Sequence, residues 1–204
     1  DHVISMITDA YVKGYRNFDT QKAFSYMKKN ATEMPQDYAD YADGKGRRAV
    51  LVNRKLGYIP LEHPVKEAFH QREQVSRTLE YAYDDFCLSE FARLLGKEQD
   101  AADFRAQAFN YENVFDVATG FVRGRNIDGY WDEPFDPGEH YKYICEATPW
   151  VYTWYVPHDI QGLINLLASR QKFVKKLDDF FDQGFYAHDR SEEHTSELQS
   201  LLII

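Results

Sequence analysis

The chain has 204 residues, 44% of them hydrophobic, and a formal net charge of −9 at pH 7. That is apolar material enough for one sizeable domain or part of a larger one, and too much for a disordered chain. The acidic balance lacks the basic stripe a nucleic-acid groove needs, and the apolar runs fall well short of the ~18 residues of a membrane helix.

In chain order, residues 2–13 set Val3, Ile4, Ile7, Ala10 and Tyr11 at helical spacing. His2 and Asp9 interrupt the apolar positions and no cationic segment precedes them, so the stretch does not read as a signal peptide. It begins in mid-pattern, as a fragment would. Asp19 can cap a second helix over about 20–30, with Ala23, Phe24 and Met27 inward. Residues 31–72 read as mostly irregular, punctuated by Pro35, Gly44, Gly46, Gly57, Pro60 and Pro64, with a short strand at 48–52. The strongest helix is 73–95, where Val75, Leu79, Ala82, Tyr83, Phe86, Phe91, Leu94 and Leu95 form an apolar stripe and Gly96 suits the end.

After the link Lys97-Glu98-Gln99, a helix over about 100–114 buries Ala101, Phe104, Ala108 and Tyr111. So short a link makes the two helices antiparallel neighbours. A long loop over 116–145, rich in Gly, Asp, Pro and aromatics, has the length of a functional loop. Helical pattern returns at 147–155, 158–168 and 172–182, the last with Phe173, Leu177, Phe180 and Phe181. Helical hairpins joined by long loops predict an all-α fold; a partial α/α toroid and a plain helical bundle both fit the periodicity. Cys87 and Cys145 read as buried free thiols, a single disulfide being the alternative, and two cysteines make no metal cluster.

Three segments carry chemistry. In Arg77 to Asp85, Glu80 and Asp84 lie one helical turn apart, a like-charge spacing that costs a helix slightly. It calls for a partner such as Arg77, or a site, unless the face is simply solvated. In Thr119 to Trp131, Arg123, Arg125 and Asp128 offer donors and acceptors for vicinal sugar hydroxyls, and Trp131 offers a stacking face. The same loop equally fits a structural clamp held by Arg–Asp pairs. In Cys145 to Asp159, Glu146 stands among aromatic residues at a loop-to-helix junction. Burial there would keep its carboxyl protonated, as a general acid requires; a helix N-terminal carboxylate is the plainer alternative. Trp150 and His158 complete the candidate substrate-binding set, although His158-Asp159 also suits a helix cap. The 15 Tyr, 14 Phe and 3 Trp suit sugar binding, but also an aromatic core.

Six stretches, Gly57 to Pro60, Arg77 to Asp85, Asn113 to Asp116, Thr119 to Asp128, Pro134 to Pro137 and Trp150 to Gly162, resemble glycoside hydrolase family 92 in the family's own order, over about 55–189. The resemblance implies a calcium-dependent exo-α-mannosidase that acts with inversion on α-mannoside glycans, with no nucleic-acid or membrane partner. It implies that 1–189 is part of an (α/α)6 toroid, in a protein exported to the periplasm or outside the cell. Glu146 aligns with the family's general acid. Here Ala147-Thr148-Pro149 follows it where a Gly-Asn-Ala type triplet is frequent, which bears on the local backbone and the leaving-group preference. The family's base motif lies downstream and has no counterpart before Asp189, so the chain alone is expected to be inactive, with calcium ligands unassigned. The competing readings are a non-catalytic helical carbohydrate-binding domain and another toroid enzyme, a different glycosidase or a lyase. Residues 190–204 resemble the translation of a sequencing-library adapter and are expected to be a disordered, non-native tail.

Overall fold

The computed structural model describes residues 3–63 and 72–186. The expected tail at 190–204 and the stretch around Pro64 lie outside them. Among the described residues the elements are α1 (Val3–Val12), α2 (Thr20–Thr32), α3 (Tyr38–Ala42), α4 (Val50–Leu56), α5 (Gln74–Leu94), α6 (Glu98–Gln107), a 3₁₀ turn (Asn110–Val114), β1 (Phe115–Asp116), β2 (Phe121–Val122), α7 (Pro149–Tyr152), α8 (Ile160–Leu166) and α9 (Arg170–Asp182). None of these helices is long and apolar enough to cross a membrane.

Helix α5 is the spine. The expected one-sided stripe understates it, because Thr78, Asp84, Asp85 and Ser89 are buried along with Val75, Leu79, Leu88 and Phe91. A helix covered on most sides belongs in the middle of a fold. Its C-terminal half packs with α1, α2 and α6 through Ile4, Phe24, Met27, Leu88, Phe91 and Phe104. Its N-terminal half enters a second, aromatic core with Tyr111, Tyr152, Trp154, Tyr155 and Phe180. Most of the aromatic content is therefore packing.

Local chemistry sets the ends. The Asp19 carboxylate accepts the Lys22 N–H at 2.9 Å and starts α2. Gly96, at φ +71°, reverses the chain after α5, and Lys97 N–H reaches back to Ala92 O at 2.9 Å. This is the left-handed turn that glycine takes without a Cβ penalty, and it folds α6 back beside α5. Asp159 caps α8 by accepting Gly162 N–H at 2.9 Å and also takes the Tyr111 hydroxyl at 2.7 Å. A Cβ at residue 162 would strike that pair, so glycine is required there.

Three expectations are corrected. Residues 48–52 are not a strand: Val50 opens α4, with Val50 buried and Leu51 exposed. The start of α4 is fixed by distant hydroxyls, Tyr41 accepting Ala49 N–H and Tyr81 accepting Arg48 N–H, each at 2.9 Å. Such contacts outweigh the β-branched residues that suggest a strand. With α3, this makes the expected irregular stretch partly helical. The helix expected over 100–114 stops at Gln107 and continues as the 3₁₀ turn, still burying Ala101, Phe104, Ala108 and Tyr111. The long loop begins with a hairpin pairing Phe115 with Val122 and Asp116 with Phe121. Both cysteines are free, Cys87 buried and Cys145 half-buried.

Candidate active site

The site is assembled where a strap, residues 142–146, crosses the N-terminus of α5. That helix end has no side-chain cap, and the first N–H groups of a helix have no partner within it. The strap supplies them. Lys142 O accepts from Glu73 N–H at 2.9 Å, and Tyr143 O accepts from Val75 N–H at 3.0 Å and Ser76 N–H at 3.4 Å. In return Cys145 N–H donates to the buried Ser76 hydroxyl oxygen at 2.8 Å. Glu146 follows directly, at φ +49°. A non-glycine residue holds that left-handed conformation only where its surroundings impose it.

Carboxylates gather around this crossing. The Tyr152 hydroxyl donates to Glu80 Oε1 at 3.2 Å, and Ser76 also hydrogen-bonds Tyr152. Burial, then the neighbouring Glu80, raises the Tyr152 pKa, so this hydroxyl stays a donor. Glu73 lies 3.4 Å from the Arg77 guanidinium and hydrogen-bonds Cys145. Burial, and after it the Glu73 charge, pushes the Cys145 thiol up to about 12, which makes it a poor nucleophile. Beside the strap a cavity of about 310 Å³ is lined by Leu61, Arg72, Gln74, Asp132, Lys142 and Tyr143.

The surroundings expected for Glu146 need correction: it is exposed, not shut among aromatic rings. The nearby rings pack against one another instead. Trp150 stacks on Phe185 at 4.4 Å and meets Phe121 edge-on at 4.6 Å, and the Lys176 ammonium covers both the Phe121 and the Trp150 face.

The 119–131 loop takes the clamp geometry. Arg123 is 4% exposed; it donates to Asp116 Oδ2 at 2.9 Å and to Asp132 O, and pairs with Glu133. Arg125 donates to Gly129 O at 3.0 Å and Asn113 O at 3.1 Å, and its guanidinium lies 5.2 Å from the Trp131 ring centroid. Asp128 accepts Tyr130 N–H at 3.1 Å at an exposed turn. The two arginines thus hydrogen-bond to the loop and its neighbours, Arg125 through Nε and Nη1. His158 is packed against Tyr83, Phe86 and Tyr111, with Nε2 2.8 Å from Ala108 O. Burial lowers its pKa to about 4, so its ring is neutral over most of the working range. No described contact joins Arg123, Arg125, Asp128, Trp131 or His158 to Glu146. A relay of rings, Phe135 on Tyr141 at 5.7 Å and Tyr141 on Tyr143 at 4.7 Å, does link the Arg123 loop to the strap.

The sequence flagged Glu80 through its spacing from Asp84, and the structure separates the two. Glu80 belongs to the crossing, whereas Asp84 is buried with Asp85 beside Arg47. That burial rules out a solvated acidic face. Ser76 and Tyr152 were not singled out by the sequence, because their roles depend on partners far along the chain, Cys145 for Ser76 and Glu80 for Tyr152.

The profile described as Glycosyl hydrolase family 92 catalytic domain matches residues 1–201. An uncharacterized secreted glycosidase of Arthroderma benhamiae is 30% identical over 90% of this chain and 26% of its own length. The inverting mannosidase BT2199 of Bacteroides thetaiotaomicron superposes with a TM-score of 0.79 at 31% identity, over 88% of this chain and 23% of that one. The α-mannosidase BT3965 of the same species gives 0.74 at 36% identity, over 88% and 22%. The chain therefore spans about a quarter of the length of these relatives. Its helical hairpins are those of the α/α toroid, and the chain belongs to glycoside hydrolase family 92.

Proposed function

We propose that the chain forms the general-acid side of an exo-α-mannosidase that works with inversion, and that Glu146 is the acid. The observation that carries this is the placement of an exposed carboxylate, at φ +49°, directly after a backbone strap anchored to the head of α5. A proton donor must reach the glycosidic oxygen and must not wander. Water exclusion, which the described residues do not provide, would come from the bound sugar and the facing parts of the toroid.

Inversion uses a second carboxylate that activates a water across the sugar, roughly 6.5–9.5 Å away. That base is assigned to residues beyond Asp189. Calcium enters through the family resemblance. Among the described residues no three of His, Cys, Asp and Glu come together as a metal site, so they do not by themselves make the six to eight oxygen ligands that calcium takes. Arg123 and Arg125 act on substrate only indirectly, by shaping the loop, while Trp131 and Asp128 keep some exposed surface for contact. Export is supported by the secreted relative.

The deciding experiment is Glu146→Gln in a chain of the relatives' full length. Turnover of unactivated α-mannosides should fall by about 10²–10⁴-fold, the usual range for a lost acid–base group. Wild-type turnover would remove Glu146 from the mechanism. Sugar binding with no turnover in the unsubstituted protein would instead favour a carbohydrate-binding role.

A further inference from the structure

Glu146 has a conformation that its own residue type disfavours, and the neighbouring Cys145 is tied down through its backbone N–H. Cys145 N–H ends on Ser76 Oγ at 2.8 Å, and Ser76 is 1% exposed. A buried hydrogen bond of this kind is costly to leave unmade. The same hydroxyl hydrogen-bonds Tyr152, whose own hydroxyl donates to Glu80 at 3.2 Å. Ser76 N–H meanwhile donates to Tyr143 O at 3.4 Å. One serine thus holds the strap from both sides of its own residue and ties it to the carboxylate one turn further along α5. We propose that Ser76 is a positioning residue for the acid: it fixes the Ile144–Cys145 peptide, one residue ahead of Glu146, and, through Tyr152, keeps Glu80 in the same frame. This rests on the reading of Glu146 as the proton donor.

A misplaced acid has a particular kinetic signature. Proton donation matters most when the leaving group is a poor one, such as a sugar alkoxide, and least when it is a stable phenolate. In a full-length enzyme containing this segment, Ser76→Ala should lower kcat on a mannobiose by about tenfold, with KM little changed. On 2,4-dinitrophenyl α-mannoside it should change kcat by less than about twofold. Ser76→Thr, which keeps the hydroxyl, should restore most of the mannobiose rate. Ser76→Cys, with a weaker acceptor of similar size, should fall between them, and the contrast of Thr with Cys decides the matter even if the alanine variant does not fold. Equal losses on both substrates would mean a merely structural serine and overturn the proposal. So would an unchanged mannobiose rate in Ser76→Ala while Glu146→Gln remains inactive. If Glu146→Gln itself cleaves mannobiose normally, the reading of the acid fails first.

Discussion

Asp84 and His158 show how single buried groups set the pH response. Burial pushes the Asp84 carboxyl up to about 7, against the pull of Arg47, whose guanidinium is 3.7 Å away. Between the ordinary value of 3.8 and about 7, the folded state holds a proton that the unfolded state has released. Asp84 therefore contributes less stability as pH rises through that window. His158 does the opposite. Its folded pKa near 4 lies below the ordinary 6.5, so the unfolded state takes up the extra proton, and stability is lost as pH falls through this range. The two slopes largely cancel in the unsubstituted protein. Asp84→Asn removes one slope that opposes that of His158 and leaves the opposition of Asp85, whose pKa burial also raises, so stability should rise from pH 4.5 to 6.5 more steeply than wild type, by on the order of 1 kcal/mol per pH unit. His158→Gln, which can still donate to Ala108 O, should tilt the curve the other way. Urea midpoints at three pH values suffice; three parallel curves would contradict both assignments.

At the scale of elements, α1, α2, α5 and α9 were legible because each is long and patterned, with a side-chain cap or a glycine to mark an end. Asp19 and Gly96 did what their residue types predict. Helix α4, the 3₁₀ turn and the two-residue strands were not, because they are too short to establish a pattern and are fixed by groups far along the chain. Tyr81 on α5 holds the start of α4, and Thr153 Oγ1 accepts Val122 N–H at 3.1 Å. The candidate site divides the same way. Glu146 was recognisable from its motif, but its exposure and its strap were not, because both depend on how 142–146 crosses α5. The arginine loop offered two readings, and the backbone and carboxylate partners of Arg123 and Arg125 favour the clamp. The legible helices should also dominate stability. Phe91 is fully buried, and its ring meets Tyr11 edge-on at 5.1 Å, within the cluster that contains Phe104. Phe91→Ala should cost about 3–5 kcal/mol, whereas Asp19→Ala, which removes one cap, should cost about 1 kcal/mol. Denaturant unfolding that ranks the two the other way would mean that α5 is not the spine.

At the scale of the molecule, the two cores share α5 but face different tasks. The C-terminal half of the helix is packed into an aliphatic and aromatic bundle that only needs to be stable. The N-terminal half carries the strap, Glu73, Ser76 and Glu80, so the rigid element that organises the fold also orients the candidate acid. Rigid support for a reacting group is what catalysis asks of a scaffold, but support for one carboxylate is half of an inverting site. On the proposed mechanism the other half needs an opposed base and a calcium shell, and the described residues bring no three metal-binding side chains together. This chain by itself should accordingly release no nitrophenol from 4-nitrophenyl α-mannoside in millimolar calcium. A chain of the relatives' length should turn the substrate over, lose that activity in EGTA and regain it when calcium is returned. Glu146-dependent turnover by the 204-residue chain alone would mean that a second carboxylate already stands within reach of Glu146. Glu80, tied to the same strap through Tyr152, would then be the first to substitute.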